Sequence, residues 1–282
     1  MWVQTTDFTH EQLQKFRTLQ RQVYATLVEV ADGLRAGITE KEATRALRRA
    51  FKRQGVESYF HVPVALFGER STYPGDFGEL GALPTDRVLA DEDAVIVDAA
   101  PIFDGYMIDC SYAVPRPAAD PATFGEADRL LEACRKHILE RATGRANMRG
   151  VAREIDAMIT SAGFENCHKK HIGRVLAHRI TRSAGGWLGS QRIWGLAPLP
   201  VSYFFAYGFV AANLAADFTP NWNNTRQSDC PLQPGLWAVE PHVARGATGS
   251  KFEEILVVTE ETAYYLDDSL PHHQRWAAAS AR

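Results

Sequence analysis

Two aspartates, Asp98 and Asp109, interrupt otherwise apolar runs in the stretch AVIVDAAPIFDGYMIDCSYAV. The Asp-Gly dipeptide at positions 104–105 lies between strand-forming residues, a pattern that predicts a hairpin with a two-residue loop. Asp98 then lies opposite Ser111 and Asp109 opposite Ala100, so both carboxylates share one face of the hairpin. Carboxylates about 7 Å apart or less repel each other unless a cation lies between them or one is protonated. The pair therefore favours a metal site.

Histidines supply the second feature that could do chemistry. The stretch HKKHIGRVLAHR, residues 168–179, contains His168, His171 and His178 among further basic residues. Three interpretations are open: a basic patch for a polyanion, one face of a helix, or part of a metal site. Carboxylate oxygens suit Mn, Mg or Ca, and added imidazoles extend the choice to Fe, Co and Zn. Several carboxylates together can hold two ions about 3.5–4 Å apart.

Glutamates late in the chain could complete such a site. Glu240 ends the apolar run of LWAVEPHV just before Pro241, where a strand ladder must stop. Glu253 and Glu254 are neighbours in FEEILVVTEE and point to opposite faces of a strand. At most one of these two can therefore serve the site, and the other is expected to face solvent or an ion pair.

The elements that must position these residues follow from hydrophobic periodicity. Helical spacing runs over 9–32, 39–55, 124–143 and 148–163, and Thr39 with Glu42 forms a capping box. Strand-like runs lie within 57–114 and in the two glutamate segments, whereas 186–234 is aromatic-rich and expected to be irregular. Without an internal repeat or a low-complexity linker, we expect one α+β domain over residues 1–282.

Composition excludes several classes of function. Lys plus Arg number 31 against 34 Asp plus Glu, a net charge of −3, so nothing favours a nucleic-acid or membrane partner. No run approaches the roughly 20 apolar residues of a bilayer span, and the first residues lack a secretory pattern, so a cytoplasmic protein is expected. The 4 cysteines form no CxxC pair and are expected to be reduced thiols.

Taken together, the two aspartates, a later histidine, a Glu-Pro and a glutamate before VVT resemble the pita-bread metallohydrolases. This family includes methionine aminopeptidase, Xaa-Pro aminopeptidase, prolidase and creatinase. The resemblance covers about residues 20 to 265 and includes the helix start GITEKEA. It implies a single pita-bread domain whose mostly antiparallel sheet is flanked by helices. It also implies a helical extension over about residues 1–20 and no separate creatinase-type N-terminal domain.

The resemblance implies a set of metal ligands and catalytic groups. His171 matches the family's histidine ligand, because an Ile-Gly follows it and His178 lies seven residues further on. One or two divalent ions (Mn, Fe, Co or Zn) would be held by two Asp, one His and two Glu, namely Asp98, Asp109, His171, Glu240 and Glu253. His178 would hydrogen-bond the substrate carbonyl or the developing oxyanion, and Glu240 would also transfer a proton.

The sequence departs from the family pattern at positions next to the two histidines and in one loop, and these departures leave the substrate open. The family has glycine before the ligand histidine and glutamate after the second one, where this chain has Lys170 and Arg179. A histidine of the family's loop falls on Pro74 or Gly75, and the spacing of His61 does not support it as a replacement.

Four residues near the second histidine could contact substrate. Arg174 and Arg179 could bind a substrate carboxylate or lie on a solvated face. Trp187 and Trp194 could line the pocket or belong to the core.

The favoured function is hydrolysis of a peptide or small amide bond by a metal-bound hydroxide, as in aminopeptidases and Xaa-Pro peptidases. One alternative is a non-peptidase reaction at the same site, either a creatinase-like amidinohydrolase or a carbon–sulfur lyase acting on a small molecule. Another is a catalytically inactive binding module. The expected partners are a short peptide or small molecule and, from the resemblance, a second copy in a homodimer, with no nucleic acid and no membrane.

Overall fold

Six helices lie within the part of the chain that the computed structural model describes, residues 3–56, 58–74, 81–183, 195–214 and 219–280. They are α1 (His10–Gly33), α2 (Glu40–Arg53), α3 (Pro121–Thr143), α4 (Met148–Ser161), α5 (Pro198–Leu214) and α6 (Pro271–Ser280). The predicted capping box at Thr39 and Glu42 is confirmed, and Thr9 with Gln12 forms the same motif at the start of α1.

Short strands build the rest of the described fold, and every pairing between named strands is antiparallel. The strands are β1 (Val3–Gln4), β2 (Ser58–Tyr59), β3 (Val64–Phe67), β4 (Ala94–Ala99), β5 (Pro101–Phe103), β6 (Tyr106–Met107), β7 (Cys110–Pro115), β8 (Glu165–Asn166), β9 (Ala177–Ile180), β10 (Arg182–Ser183), β11 (Asn221–Trp222), β12 (Gly235–Val239), β13 (His242–Arg245), β14 (Thr248–Lys251), β15 (Glu254–Val258) and β16 (Ala263–Tyr265). The fold is therefore α+β, as predicted.

Four sheets arise from these strands. Two have five strands, in the orders β1-β10-β6-β5-β2 and β11-β9-β12-β15-β16, and two have three, β14-β13-β8 and β3-β4-β7. The sheet that contains β12 and β15 lies between two apolar cores, because successive residues of these strands point to opposite faces. Leu236 and Ile255 join a core with α1 and α2, whereas Trp237 and Leu256 join a core with α3 and α4. Helices thus cover both faces of this sheet.

The hairpin that carries the two aspartates has the predicted register. Asp98 pairs with Ser111 between β4 and β7, and Phe103 pairs with Tyr106 next to the turn. The turn residues Asp104 and Gly105 have φ angles of 48° and 83°, the left-handed conformation that a type I′ turn requires at both positions. Asp109 lies just outside the ladder, immediately before β7, and is buried.

Helix α1 fixes the strand that follows the last candidate ligand. The buried Tyr24 hydroxyl donates a hydrogen bond of 2.6 Å to the carbonyl of Glu253. Four residues earlier, the side-chain oxygen of Gln20 accepts a 2.8 Å hydrogen bond from the amide of Ile255. These two contacts position the backbone on both sides of Glu254.

One segment differs from the sequence-based expectation. Helix α5 occupies part of the 186–234 region that was expected to be irregular. Its sequence, PLPVSYFFAYGFVAANL, contains no charged residue, so it has no polar face whose spacing could reveal a helix. No helix among the described residues is long and apolar enough to cross a bilayer.

Candidate metal centre

Four carboxylates from distant parts of the sequence meet in one cavity of about 220 Å³. Asp98 comes from β4, Asp109 precedes β7, Glu240 follows β12, and Glu253 precedes β15. All four are at least 94% buried, with exposures of 5%, 1%, 6% and 1%. Such a concentration of buried negative charge requires compensation by cations or protons.

Among the predicted residues, His178 lies at the centre of this group. Its Nε2 atom lies 3.2 Å from Asp109 Oδ2 and 3.6 Å from Glu253 Oε1. The imidazole stacks on Phe60, with ring centroids 5.3 Å apart, and meets the edge of Phe204 at 5.8 Å. Burial alone would lower the pKa of His178, but the carboxylates of Asp109 and Glu253 raise it well above its ordinary value. Two aromatic rings thus hold this imidazole against the carboxylates.

His171 contacts the acidic group from the other side. Its Nδ1 atom lies 2.8 Å from Glu240 Oε2, and its Nε2 atom lies 3.0 Å from Nδ1 of His242. His242 Nε2 lies 2.7 Å from the carbonyl of Ser71, which can only accept, so His242 donates there and offers Nδ1 as an acceptor. His171 must then donate from Nε2, which leaves its Nδ1 facing the cavity as the nitrogen that can bind a metal.

Close packing at Gly249 keeps the Ser71 carbonyl in place. The amide of Gly249 donates a 2.9 Å hydrogen bond to the Ser71 hydroxyl. A Cβ atom at position 249 would lie 2.0 Å from the Ser71 carbonyl oxygen. Only glycine allows β14 to approach the turn at this point.

His61, which the sequence did not support as a site residue, lies against both aspartates. Its Nε2 atom is 3.1 Å from Asp109 Oδ1 and 3.4 Å from Asp98 Oδ1. Burial would lower the pKa of His61, but the two carboxylates raise it to about 10. The side chain is 37% exposed at the cavity mouth, so water screens part of this attraction. Sequence spacing could not reveal this histidine, because His61 lies close to the aspartates only after β3 pairs with β4.

Lys251 is the second residue that the sequence did not reveal. Its ammonium lies 2.8 Å from Asp98 Oδ2, 3.1 Å from Glu240 Oε2 and 3.3 Å from Glu253 Oε2. The side chain is only 1% exposed. Burial would lower the pKa of Lys251, but the three carboxylates raise it well above its ordinary value. The centre therefore contains an internal ammonium group whose charged form these carboxylates favour.

The carboxylates of the centre differ in their pKa values. Burial would raise the pKa of Asp109, but His61 and His178 lower it below the usual range. Burial would likewise raise the pKa of Glu240, but Lys251 and His171 lower it below the usual range. Glu253 differs, because burial and then repulsion by Asp109 raise its pKa to about 8. The centre thus combines carboxylates that stay ionised with one that holds a proton more readily.

The donor set fits a divalent cation. Asp98 Oδ1 and Asp109 Oδ2 are buried, and no group in the described part of the chain donates a well-aligned hydrogen bond to either atom. Donor atoms of His61, Asp98 and Asp109 lie within 4.8 Å of one another, as do those of Asp109, His178 and Glu253. Buried carboxylate oxygens without a donor, next to imidazole nitrogens, are suitable ligands for Mn, Fe, Co or Zn.

The structure does not bring Arg174 or Arg179, two of the predicted substrate-binding residues, to the cavity. Arg179 follows His178 in β9 and therefore points to the opposite face, where its guanidinium lies 4.2 Å from the Trp237 ring centroid and contacts Pro234 and Gln233. Arg174 is exposed and is not among the described residues that line the cavity. Trp187 and Trp194 lie outside the described residues, as does Gly75 of the predicted loop position.

Glu254 points away from the centre, in agreement with the expectation that at most one of the two neighbouring glutamates serves the site. It forms a bidentate ion pair with Arg135, with both N–O distances at 2.9 Å. His272 and His273 of α6 contact its Oε1 at 2.7 and 2.9 Å. The His-His pair near the end of the sequence had no recognisable ligand spacing, yet it lies in this buried cluster.

Comparison with solved structures identifies the class of fold. X-Pro aminopeptidase from Thermotoga maritima matches with a TM-score of 0.67 over 95% of this chain at 18% identity. A prolidase from Pyrococcus horikoshii matches with a TM-score of 0.65 over 93% at 13% identity, and a His361Ala aminopeptidase P from Escherichia coli with 0.62 over 98% at 16% identity. The chain covers 64%, 64% and 60% of those structures, so it spans about three fifths of their length. The fold is the pita-bread fold.

The family model of metallopeptidase family M24 matches residues 14–260. The chain therefore belongs to metallopeptidase family M24. No curated protein matches the sequence.

Proposed function

We propose that this protein is a metal-dependent hydrolase of peptide or small amide bonds, similar in reaction to aminopeptidases and Xaa-Pro peptidases. The observation that carries the proposal is the pair of buried oxygens, Asp98 Oδ1 and Asp109 Oδ2, which lie beside imidazole nitrogens but accept no well-aligned hydrogen bond from the described residues. Asp98, Asp109, His171, Glu240 and Glu253 would hold the divalent ion or ions. A cation bound there supplies Lewis acidity and lowers the pKa of a water molecule.

The chain's own groups have separate tasks in this proposal. His178 lies beside Asp109 and Glu253 and donates a hydrogen bond to the substrate carbonyl and to the oxyanion that develops from it. Glu240 lines the same cavity as an ionised carboxylate, because Lys251 and His171 keep its pKa below the usual range, and we assign it the proton-transfer role. Phe60 and Phe204 restrict the imidazole of His178 to one orientation.

The walls of the cavity suggest the substrate class. Apolar side chains surround the acidic centre, among them Phe60, Val62, Ile172, Val201 and Phe204. A small cavity with apolar walls and a polar floor suits a short peptide or a small amide. The comparisons support peptide substrates, because an X-Pro aminopeptidase and prolidases share the fold.

Metal analysis and a substrate screen test the proposal. Protein purified without chelator should carry a divalent metal that Asp109→Asn loses, whereas Asp91→Asn, an exposed aspartate beside Arg116, should keep it. A panel of dipeptides, including Xaa-Pro dipeptides, should contain at least one substrate. Equally low metal content in wild type and Asp109→Asn would contradict the metal site. Turnover of small amidines or sulfonium compounds without any dipeptide would instead identify a non-peptidase.

A further inference from the structure

The ammonium of Lys251 occupies a position that a metal ion would otherwise take. It contacts oxygens of three of the four carboxylates at 2.8 to 3.3 Å: Asp98, Glu240 and Glu253. A divalent ion binds carboxylate oxygens at about 2.0–2.2 Å. An ion on these same three oxygens would therefore lie within a few ångströms of Nζ, and the two cations would repel each other in a buried site.

Carboxylate oxygens are divided between this lysine and the rest of the centre. Lys251 takes Asp98 Oδ2, Glu240 Oε2 and Glu253 Oε2. Asp98 Oδ1 and both oxygens of Asp109 lie on the other side, next to His61 and His178. The two oxygens that accept no well-aligned hydrogen bond from the described residues, Asp98 Oδ1 and Asp109 Oδ2, both belong to this second group.

We propose that the protein binds a single divalent ion, with Asp98 and Asp109 among its ligands, and that the Lys251 ammonium takes the place of a second ion. The inference rests on the proposed function, because it assumes that the centre binds metal. It assigns Lys251 as the residue that determines the number of ions. Strand β14 delivers this side chain, since Lys251 is its last residue and lies two positions before Glu253.

Metal stoichiometry tests this assignment without an activity assay. Chelator-treated protein is loaded with Mn²⁺ and dialysed, and bound manganese per chain is measured by mass spectrometry. Electron paramagnetic resonance then distinguishes isolated Mn²⁺ from a pair of exchange-coupled ions. Wild type should bind one Mn²⁺ with an uncoupled signal. Lys251→Met should bind two with a coupled signal, because the freed oxygens require a new cation.

Two further variants serve as controls. Lys251→Arg keeps the positive charge and should stay at one ion. Lys170→Met is the matched control, because Lys170 also lines the cavity but binds the Tyr73 carbonyl and Glu165 instead of the four carboxylates. It should bind one ion. If Lys251→Met does not fold, the test rests on wild type and Lys251→Arg, and two bound ions in either would contradict the role of Lys251.

The possible outcomes separate this inference from the proposed function. Two ions in wild type, or one ion in a folded Lys251→Met, would overturn the role of Lys251 and leave the metal-dependent function standing. No ion in wild type would overturn both.

Discussion

Nε2 of His171 lies 3.0 Å from Nδ1 of His242, and the second nitrogen of His242 lies 2.7 Å from the Ser71 carbonyl. The carbonyl can only accept a hydrogen bond, so it fixes which nitrogen of each histidine carries the proton. His242, fully buried, thereby acts as a positioning residue for His171. Such partners of a ligand histidine influence metal affinity although they do not touch the metal.

Substitution of His242 should weaken metal binding. We expect His242→Leu to lower the affinity for Mn²⁺ by about 10–100-fold, because His171 loses the acceptor that orients it. His242→Asn keeps an acceptor oxygen near the position of Nδ1 and should recover part of this loss. Isothermal titration of the metal-free proteins measures both effects. An affinity of His242→Leu equal to that of wild type would show that His242 does not position a metal ligand.

Removal of the His178 imidazole should slow catalysis without preventing substrate binding. For a dipeptide substrate, we expect His178→Gln to lower kcat by about 10²–10³-fold with little change in KM, because the hydrogen bond strengthens in the transition state. His168→Gln is the control, since His168 is also a buried histidine of this segment but contacts Asp156 outside the cavity. Steady-state kinetics distinguishes the variants. A rise in KM alone would assign His178 to substrate binding instead of catalysis.

Arg179 should matter for stability and not for substrate binding. Arg179 is 2% exposed, and its guanidinium lies over Trp237 and contacts Pro234. We expect Arg179→Met to reduce the free energy of unfolding by about 1–3 kcal/mol, because buried hydrogen-bond acceptors lose their donor. Arg174→Met, at an exposed position, should change it by less than about 0.5 kcal/mol. Urea denaturation measures this. A several-fold increase in KM for Arg179→Met would support the substrate-binding prediction made from the sequence.

Stability should decrease as the pH falls, in a range that His272 determines. Burial lowers the pKa of His272 to about 4, from an ordinary value of 6.5. The unfolded chain therefore takes up this proton at a higher pH than the folded protein does. The contribution of neutral His272 is complete above pH 6.5 and is lost as the pH falls towards 4, at most about 3–4 kcal/mol at roughly 1.4 kcal/mol per pKa unit.

His272→Phe tests this pH dependence. Phenylalanine keeps a ring against Phe252, on which His272 stacks at 5.6 Å, and removes the titrating group. Unfolding free energies between pH 7 and 4 should fall less steeply for this variant than for wild type. His10→Gln, at the exposed start of α1, should keep the wild-type slope. Parallel curves for wild type and His272→Phe would rule out His272 as the source.

Local patterns predicted those parts of the fold that depend on neighbours in sequence. The Asp-Gly turn predicted the pairing of Asp98 with Ser111, because a two-residue loop allows only one register between the strands that it joins. Strand alternation correctly separated Glu253 from Glu254, since side chains alternate with a period of two. The assignment of the five ligands to the metal and of His178 to catalysis stays a prediction.

Contacts between distant segments could not be predicted in this way. His61 and Lys251 reach the aspartates through sheet pairing and packing, and no local spacing relates them to Asp98 or Asp109. The expected irregular segment was wrong where α5 forms, because an apolar helix without a polar face has no helical pattern to detect.

The hydrogen bonds from α1 to the strand after Glu253 have a consequence for the register of β15. A slip of this strand by one residue would exchange Glu253 and Glu254, and either cluster would still receive a carboxylate. The following residues, Ile255 to Val258, are all aliphatic, so apolar packing distinguishes the two registers weakly. Tyr24 requires a carbonyl and Gln20 an amide at fixed points, and a slipped strand would present neither there. Two polar side chains of a helix thus decide which of two adjacent glutamates faces the cavity.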